Sequence, residues 1–301
     1  MGKEKERVLE MVADGTVTAA EGARLLEALA STGGGSNLEK TARKRKSNDT
    51  LSMISEIGPM IQAAMGDVFR GRKSFETYEN MELEEVESVS EPMESERELV
   101  IRGNVHGGKG ISIALSRSRD NVLRADLDND STIRVGTRDN KKILLWRSGE
   151  LSVQVPDCMA SVKVFSKGGG ISSSDVQIPV ELKTMGGGIK ISNPGDSFSI
   201  KTMGGGLDIS LDSAWKGNSK AKTMGGGVSV FLADDVFVQI NASTLGGSID
   251  VGGNDPRIIS QSERGHGKSK VFVRYGTGDD LPVLTVATMG GGIVISGESG
   301  E

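Results

Sequence analysis

The amino-acid sequence predicts a mainly β protein, a parallel β-helix or β-solenoid with about 18–22 residues per coil, preceded by a small α-helical N-terminal module. A repeated block is the first observation behind this prediction. Lys-Thr-Met-Gly-Gly-Gly stands at residues 183–188 and again at 201–206, and variants of it stand at 165–170, 222–227, 243–248 and 287–292. Composition is the second observation, because 42 of the 301 residues are glycine and only 4% are aromatic. Such a composition is typical of thin aliphatic stacks and not of an ordinary globular enzyme.

Residues 1–30 are predicted to form a helical hairpin. An Asp14-Gly15 pair ends the first helix, and Thr18 with Glu21 forms a capping box that begins a second, leucine-rich helix. Each helix is too short to be stable alone in water. The leucine face must therefore pack within the hairpin or against a second copy of the protein, which makes an interaction module the better interpretation.

Three segments of contrasting charge follow the hairpin. Residues 31–50 combine Gly and Ser with a basic run, which predicts a flexible linker, either a solvated hinge or a contact for an anionic partner. Residues 51–72 carry apolar side chains at steps of three and four, which predicts an amphipathic helix that packs on the protein, on a partner helix or on a membrane surface. Residues 73–98 form an acidic linker that could begin as a strand and could pair with the basic run.

The β-helix domain is predicted over residues 99–301, and its repeat can be numbered from one hydroxyl residue in each block. Positions two before and five after that residue are apolar in every copy, which predicts inward-facing side chains on both sides of the glycines. The numbering sets position zero at Ser166, Thr184, Thr202, Thr223, Thr244 and Thr288.

The glycines of each block are predicted to form corners, because the phase of the apolar alternation changes across them. We expect positive φ angles at these glycines, and we expect the Met side chains directly after position zero to lie in the core. The expected corner residues are Gly186, Gly187, Gly188, Gly204, Gly205, Gly206, Gly225, Gly226, Gly227, Gly290, Gly291 and Gly292.

The stacking order is expected to follow the chain. Residues before 160 then form degenerate early coils, and residues 255–275 form one irregular coil between those of Thr244 and Thr288. The last coil, from Ala287, is close to the consensus, and no obvious cap follows it. We therefore expect its edge to stack on a second copy or to be covered by the 51–72 helix.

The residue before position zero gives the candidate binding site. Lys183, Lys201 and Lys222 fall there in successive coils, beside Lys163, Lys190 and Lys220. On an outward face the three would form a column with a spacing of about 4.8 Å. Such a column could bind an anionic polymer, a nucleic acid being the less favoured example, or it could be a solvated face on which lysine discourages aggregation.

No catalytic, metal or cofactor chemistry is predicted. One cysteine and two histidines cannot supply a Cys/His zinc site. GNVHGGKG, from Gly103, nearly spells a phosphate-binding loop, but Gly110 stands where Ser or Thr is required. Asp126, Asp128 and Asp130 resemble the start of a calcium loop without its glycine or its final glutamate, which favours a turn. The charged N-terminus and the lack of a long apolar run predict a cytoplasmic protein, with contact to the membrane surface left open.

Two stretches carry a resemblance to known bacterial modules. Residues 163–296, with their TMGGG-x-x-I-S units, resemble a β-strand-repeat family of adhesin-like domains that has no established activity. ERVLEMVADGTVTAAEGARLLEAL, from Glu6, is similar to the SHOCT-like helical module often found ahead of that repeat domain. The resemblance implies a non-enzymatic protein linked to surface contact or to cell-envelope stress, and it brings no catalytic residues with it.

The leading prediction is a non-catalytic β-helical scaffold or sensor, oligomeric through its N-terminal helices or its coil ends and associated with the cell envelope or its stress response. A bactofilin-like cytoskeletal filament is one alternative, suggested by the missing cap. A polysaccharide-active β-helix enzyme is the other, and it would need acidic and aromatic side chains clustered in a groove. The acidic pairs Asp234-Asp235 and Asp279-Asp280 are predicted to lie in turns.

Overall fold

The computed structural model describes residues 81–94, 96–103, 111–128, 131–252, 258–265, 268–276 and 280–297. The chain divides into two units, Met1–Asn80 and Met81–Glu301. The predicted helical hairpin, basic linker and 51–72 helix therefore lie outside the described residues. Regular structure within the described residues consists of strands alone, which confirms the mainly β prediction for this part of the chain.

The strands are divided between two sheets, called sheet A and sheet B. Sheet A contains β1 (Glu84–Val86), β3 (Glu98–Gly103), β6 (Ile133–Arg138), β7 (Lys141–Trp146), β9 (Ser161–Ser166), β11 (Val180–Thr184), β13 (Phe198–Thr202), β15 (Ser219–Thr223), β17 (Val238–Thr244), β19 (Ile258–Gly265), β20 (Lys268–Tyr275) and β21 (Val283–Thr288). Sheet B contains β2 (Ser88–Pro92), β4 (Ile111–Ser118), β5 (Val122–Leu127), β8 (Gly149–Pro156), β10 (Ile171–Ser174), β12 (Ile189–Ser192), β14 (Leu207–Leu211), β16 (Val228–Leu232), β18 (Ile249–Val251) and β22 (Ile293–Gly297).

From β9 to β16 the chain alternates between the two sheets, one strand in each per coil. Each strand pairs in parallel with the strand of the next coil. Thr184 lies opposite Thr202 in sheet A, and Ile189 lies opposite Leu207 in sheet B. This register reproduces the 18-residue step of the repeat, and a β-helix fits the arrangement.

Side chains alternate strictly between the interior and the outer faces of the central strands. Leu182 and Ile200 from sheet A are fully buried, and Ile189 and Leu207 from sheet B are 1% exposed. Burial of each such side chain contributes roughly 1.5–3 kcal/mol. The two apolar positions predicted from the repeat are thus confirmed as the core between the sheets.

At the N-terminal end, the stacking order departs from the chain order. In sheet A, β7 lies outside β3, and antiparallel β6 and β1 lie outside β7. In sheet B, β8 lies outside β4 and is followed by antiparallel β5 and β2. Residues 84–92, expected within an acidic linker that could begin as a strand, thus form the outermost strands of this end.

The C-terminal coil, β21–β22, is not the last coil of the stack. It lies between the β15–β16 coil and the β17–β18 coil, in parallel with both. The prediction of an uncapped last coil is therefore wrong, and the near-consensus sequence of this coil follows from its having a neighbour on each side. The irregular coil predicted at 255–275 is also wrong, because β19 and β20 form an antiparallel hairpin that extends sheet A beyond β17. In sheet B, β18 is the edge strand.

Candidate functional site

The glycine triplets lie at bends between a strand of sheet A and a strand of sheet B. The expected reason for glycine is wrong. Positive φ angles among the described glycines occur at Gly149, Gly217 and Gly276, and none occurs in a triplet. The backbone at these corners is thus available to residues other than glycine as far as φ is concerned.

Close approach between coils is what requires the middle glycine of each triplet. A Cβ atom on Gly205 would lie 2.2 Å from the carbonyl oxygen of Gly187, and one on Gly187 would lie 2.3 Å from the backbone of Gly169. A Cβ on the first glycine, Gly204, would instead lie 3.4 Å from the nearest atom. The same close approach recurs at Gly226, Gly247 and Gly291, so the middle glycines form a continuous column of backbone contact.

The buried threonine hydroxyls join neighbouring coils across these corners. Thr202 Oγ1 donates to the carbonyl oxygen of Gly187 at 2.7 Å and accepts from the N–H of Gly205 at 3.2 Å. This hydroxyl thus satisfies one backbone group of its own coil and one of a neighbouring coil. This role was missed by the sequence analysis, although the fixed Thr-x-Gly-Gly spacing carries the signal. The other coils repeat one or both bonds at Ser166, Thr184, Thr223, Thr244 and Thr288.

The methionines after the threonines were expected to lie in the core, and they do not. Met185, Met203, Met224 and Met289 are half-buried at the outer side of the corner. The Thr side chain before each of them is the one that faces the interior. The alternation therefore ends at the threonine and not one residue later.

The lysines before the threonines form the predicted column on the outer face of sheet A. Lys183 is the direct neighbour of Lys201 across β11 and β13, and Lys201 is the direct neighbour of Lys222 across β13 and β15. All three side chains are half-buried. A half-buried lysine on a sheet commonly covers apolar surface with its stem and keeps its ammonium group in water. The adjacency is confirmed, whereas the binding of an anionic polymer stays a prediction.

Neighbouring side chains modify the charge of this column. Lys183 Nζ lies 2.6 Å from Glu181 Oε1, which partly neutralises one end of the column. Lys220 is exposed on the same face, one column away. Lys190 lies instead in β12 of sheet B, so the expectation that it would stand beside the column is wrong.

The column continues beyond the three predicted lysines. Phe165 and then Arg102 occupy the next two positions along sheet A toward the N-terminal end. Toward the other end, Ala287 and Ser243 precede Lys270. Arg102 and Lys270 were missed because the strands that carry them lack the glycine block by which the other coils were aligned.

Glu98 anchors a second group of charges on this face. Its carboxylate pairs with Lys163 and lies 3.5 Å from the ammonium group of Lys141. Burial alone raises the pKa of Glu98, but the hydrogen bond and charge of Lys163, the charge of Lys141 and a hydrogen bond from Ser161 outweigh it and lower the pKa below its ordinary value. Lys163 is thus engaged in an ion pair rather than available to the lysine column.

A cleft of about 580 Å³ is lined by the β14–β15 and β16–β17 loops, which connect sheet B to sheet A, and by the residues directly before β21. Its walls include the carboxylates of Asp212, Asp235 and Asp280 together with Phe237, which is 53% exposed. Asp212 also caps a turn by accepting the N–H of Ala214 at 3.0 Å. The cleft brings acidic and aromatic side chains together, as the enzyme alternative requires.

The two sequence motifs considered for ligand chemistry gain no support. Gly103 ends β3, and the rest of GNVHGGKG lies outside the described residues. Asp126 lies within strand β5 and not in a turn. Among the described residues, no three His, Cys, Asp or Glu side chains are grouped to hold a metal ion. Within the same ranges, no helical stretch has the length and hydrophobicity that a membrane span requires.

Comparisons with known proteins give one family match and one distant structural similarity. Residues 3–34 match the family model of a SHOCT-like domain, as predicted from the segment that begins at Glu6. The search of curated proteins found no match. Among solved structures, the chain is similar to the crystal structure of a putative cell adhesion protein from Clostridium sporogenes ATCC 15579, with 15% sequence identity and a TM-score of 0.41 over 71% of this chain and 100% of that chain.

Proposed function

We propose that the protein is a non-catalytic β-helical scaffold or sensor whose sheet A face binds an anionic polymer through Lys183, Lys201 and Lys222. One observation carries this proposal. The three lysines are direct neighbours on consecutive parallel strands, so their side chains leave the sheet in one column with the strand spacing of about 4.8 Å.

A line of like charges creates a local potential that only an extended anion can neutralise along its whole length. The half-buried stems limit the number of conformations that each side chain loses on binding. Because lysine acts as a point charge without a fixed fork of donors, the column selects charge spacing and not a particular chemical group. Binding is therefore expected to be salt-dependent and tolerant of polymer identity.

A triple charge reversal tests the proposal with polyphosphate and heparin as the probes. The variant K183E/K201E/K222E should lose retention on both polymers at low salt, because the column becomes negative. The control K167E/K190E/K216E changes the net charge equally at exposed lysines outside the column. It should keep most of its retention. Equal loss in both variants would reduce the effect to net charge, and unchanged retention of the first variant would contradict the proposal.

The wider setting of this scaffold is also part of the proposal. The SHOCT-like match at residues 3–34 supports an interaction module ahead of the β domain. We infer that this module makes the protein oligomeric and that the basic face serves contact with an envelope polymer during envelope stress. A cytoplasmic protein at the membrane surface fits this role. Fractionation of cells with and without envelope stress, followed by crosslinking, tests both location and partner.

A polysaccharide-active protein is the second candidate, favoured by the cleft that Asp235, Asp280 and Phe237 line. Exposed aromatic rings and carboxylates are common in sugar-binding grooves. A neutral polysaccharide added to the retention assay separates the two candidates, since retention through the cleft would survive K183E/K201E/K222E. The filament alternative loses the missing cap on which it rested, because the C-terminal coil lies inside the stack.

A further inference from the structure

The C-terminal coil fills a position between two coils that precede it in the chain. In sheet A, β21 separates β15 from β17, and in sheet B, β22 separates β16 from β18. The hairpin of β19 and β20, which leads into β21, stays on the far side of β17. The coil is thus inserted into the stack from a segment attached beyond it.

The contacts on the two sides of the inserted coil are the same in kind. Thr288 Oγ1 donates to the carbonyl oxygen of Gly226 at 2.8 Å, and Thr244 Oγ1 donates to that of Gly291 at 2.9 Å. In sheet B, the N–H of Val228 donates to Gly292 O at 2.9 Å. The bond from the N–H of Ile293 to Ser248 O has the same length and the same place in the coil.

The β17–β18 coil therefore carries the groups that would satisfy the β15–β16 coil directly. Thr244 corresponds to Thr288, Gly247 corresponds to Gly291, and the carbonyl of Ser248 corresponds to that of Gly292. The inward apolar side chains of the two coils match in the same way. The β17–β18 coil and the β21–β22 coil thus both present the groups that pair with the β15–β16 coil.

We propose that the β21–β22 coil is exchangeable between two copies of this chain, so that the coil of one copy inserts between β15–β16 and β17–β18 of the other. A second copy is the occupant that fits, because the insertion site requires a Thr-x-Gly-Gly corner with apolar residues at matching positions. Exchange of an identical element forms a dimer with little new interface, since every contact is already made within one chain.

The connection of the coil makes the exchange physically accessible. Residues 276–282 join β20 to β21, and an extended chain of that length reaches up to about 25 Å. Gly276, the residue directly after β20, adopts a φ of 90° against the ring of Phe237, a conformation that favours glycine. A change of backbone conformation at Gly276 would let the coil move outward while β20 stays paired with β17. The inference is independent of the lysine column and of any polymer.

Crosslinking between chains tests the exchange with full-length protein. Ser229 and Val294 are direct neighbours on the outer face of sheet B and are both exposed. Single variants S229C and V294C, each also carrying C158S, are mixed, unfolded together, refolded at high protein concentration and treated with a short bis-maleimide. A crosslinked heterodimer is expected, because position 294 of one copy then lies beside position 229 of the other.

The control uses neighbours that belong to consecutive central coils. Lys190 and Asp208 occupy the same outer column of sheet B and are also exposed. K190C and D208C, mixed and treated in the same way, should give no heterodimer above background, since this pair always lies within one chain. Absence of the S229C–V294C heterodimer would overturn the proposal. Equal crosslinking of the two pairs would overturn it as well, because it would indicate side-by-side association.

Discussion

The central coils, residues 161–232, differ in neighbour order from the coils at the two ends, although the C-terminal coils β17–β18 and β21–β22 keep the same corner chemistry. In the centre, from β9–β10 to β15–β16, coils that are consecutive in the chain are neighbours in the stack. At the ends, β7–β8 lies outside β3–β4, and β21–β22 is inserted ahead of β17–β18. The Thr-x-Gly-Gly corner thus specifies how one coil contacts another, and it leaves open which coil that is.

This difference also separates two kinds of stability. A central coil has a neighbouring coil on each side, whereas the β17–β18 coil has a coil on one side and, in sheet A alone, the β19–β20 hairpin on the other. Strain at a central corner must therefore be absorbed locally, because protein interiors are close-packed. Strain at the β17–β18 coil, the outermost coil at its end of the stack, can be relieved by a small displacement of that coil. The predictions below compare these two situations.

The largest effect is expected at the middle glycine of a central corner. G205A places a Cβ atom 2.2 Å from the carbonyl oxygen of Gly187 and should destabilise the fold by roughly 3 kcal/mol or more, because two backbones must separate. G204A, whose Cβ would lie 3.4 Å from its nearest neighbour, should change stability by less than about 1 kcal/mol. Urea denaturation followed by circular dichroism measures both.

The equivalent change in the β17–β18 coil tests whether a coil at the end of the stack tolerates a Cβ atom better than a central coil does. G247A places a Cβ atom 2.1 Å from the carbonyl oxygen of Gly291, yet the β17–β18 coil can shift away from β21–β22. Its destabilisation should therefore be smaller than that of G205A. Equal losses in the two variants would contradict the view that the end coil relaxes.

A smaller effect is expected from loss of one threonine hydroxyl. T202V removes the bond to Gly187 O and the bond from Gly205 N, and it should cost about 2 kcal/mol because two backbone groups lose their partner. T202S keeps the hydroxyl and should stay close to the wild type, as Ser166 accepts the N–H of Gly169 in the same position of its coil. A valine variant as stable as the serine variant would show that the hydroxyl is dispensable.

The smallest effect concerns pH near the N-terminal end. Because the pKa of Glu98 is lowered in the folded state, its ion pairs stabilise the fold above the pKa of the unfolded carboxyl. That contribution is lost as the pH falls through the lowered folded value. The variant E98Q lacks this term, so its stability should fall less than that of the wild type between about pH 6 and pH 3. Parallel pH profiles of the melting temperature measure the difference.

The repeat predicted much of the central fold because the signals it carries, side-chain alternation and repeat length, lie within one or two neighbouring coils. Inward positions such as Leu182 and Ile189, the corner at Gly187 and the adjacency of Lys183 and Lys201 all follow from alternation and from one repeat length. Arg102 and Lys270 complete the same column, but their strands carry no glycine block, so no repeat number could be assigned to them. The cleft at Phe237 was missed because it is formed by loops of three different coils.

The sequence by itself determined the coil, with its strands, its corner and its apolar face, since each depends on residues within one repeat. Only the tertiary structure decided the order of the coils and the reason for the middle glycine of each corner. Both depend on contacts between segments far apart in the chain, such as Gly226 with Gly291. Because several coils present the same corner, the local pattern is compatible with more than one order. In the order that the structure adopts, antiparallel strands lie beyond the outermost coils. These strands are β1, β2, β5 and β6 at one end and the β19–β20 hairpin at the other.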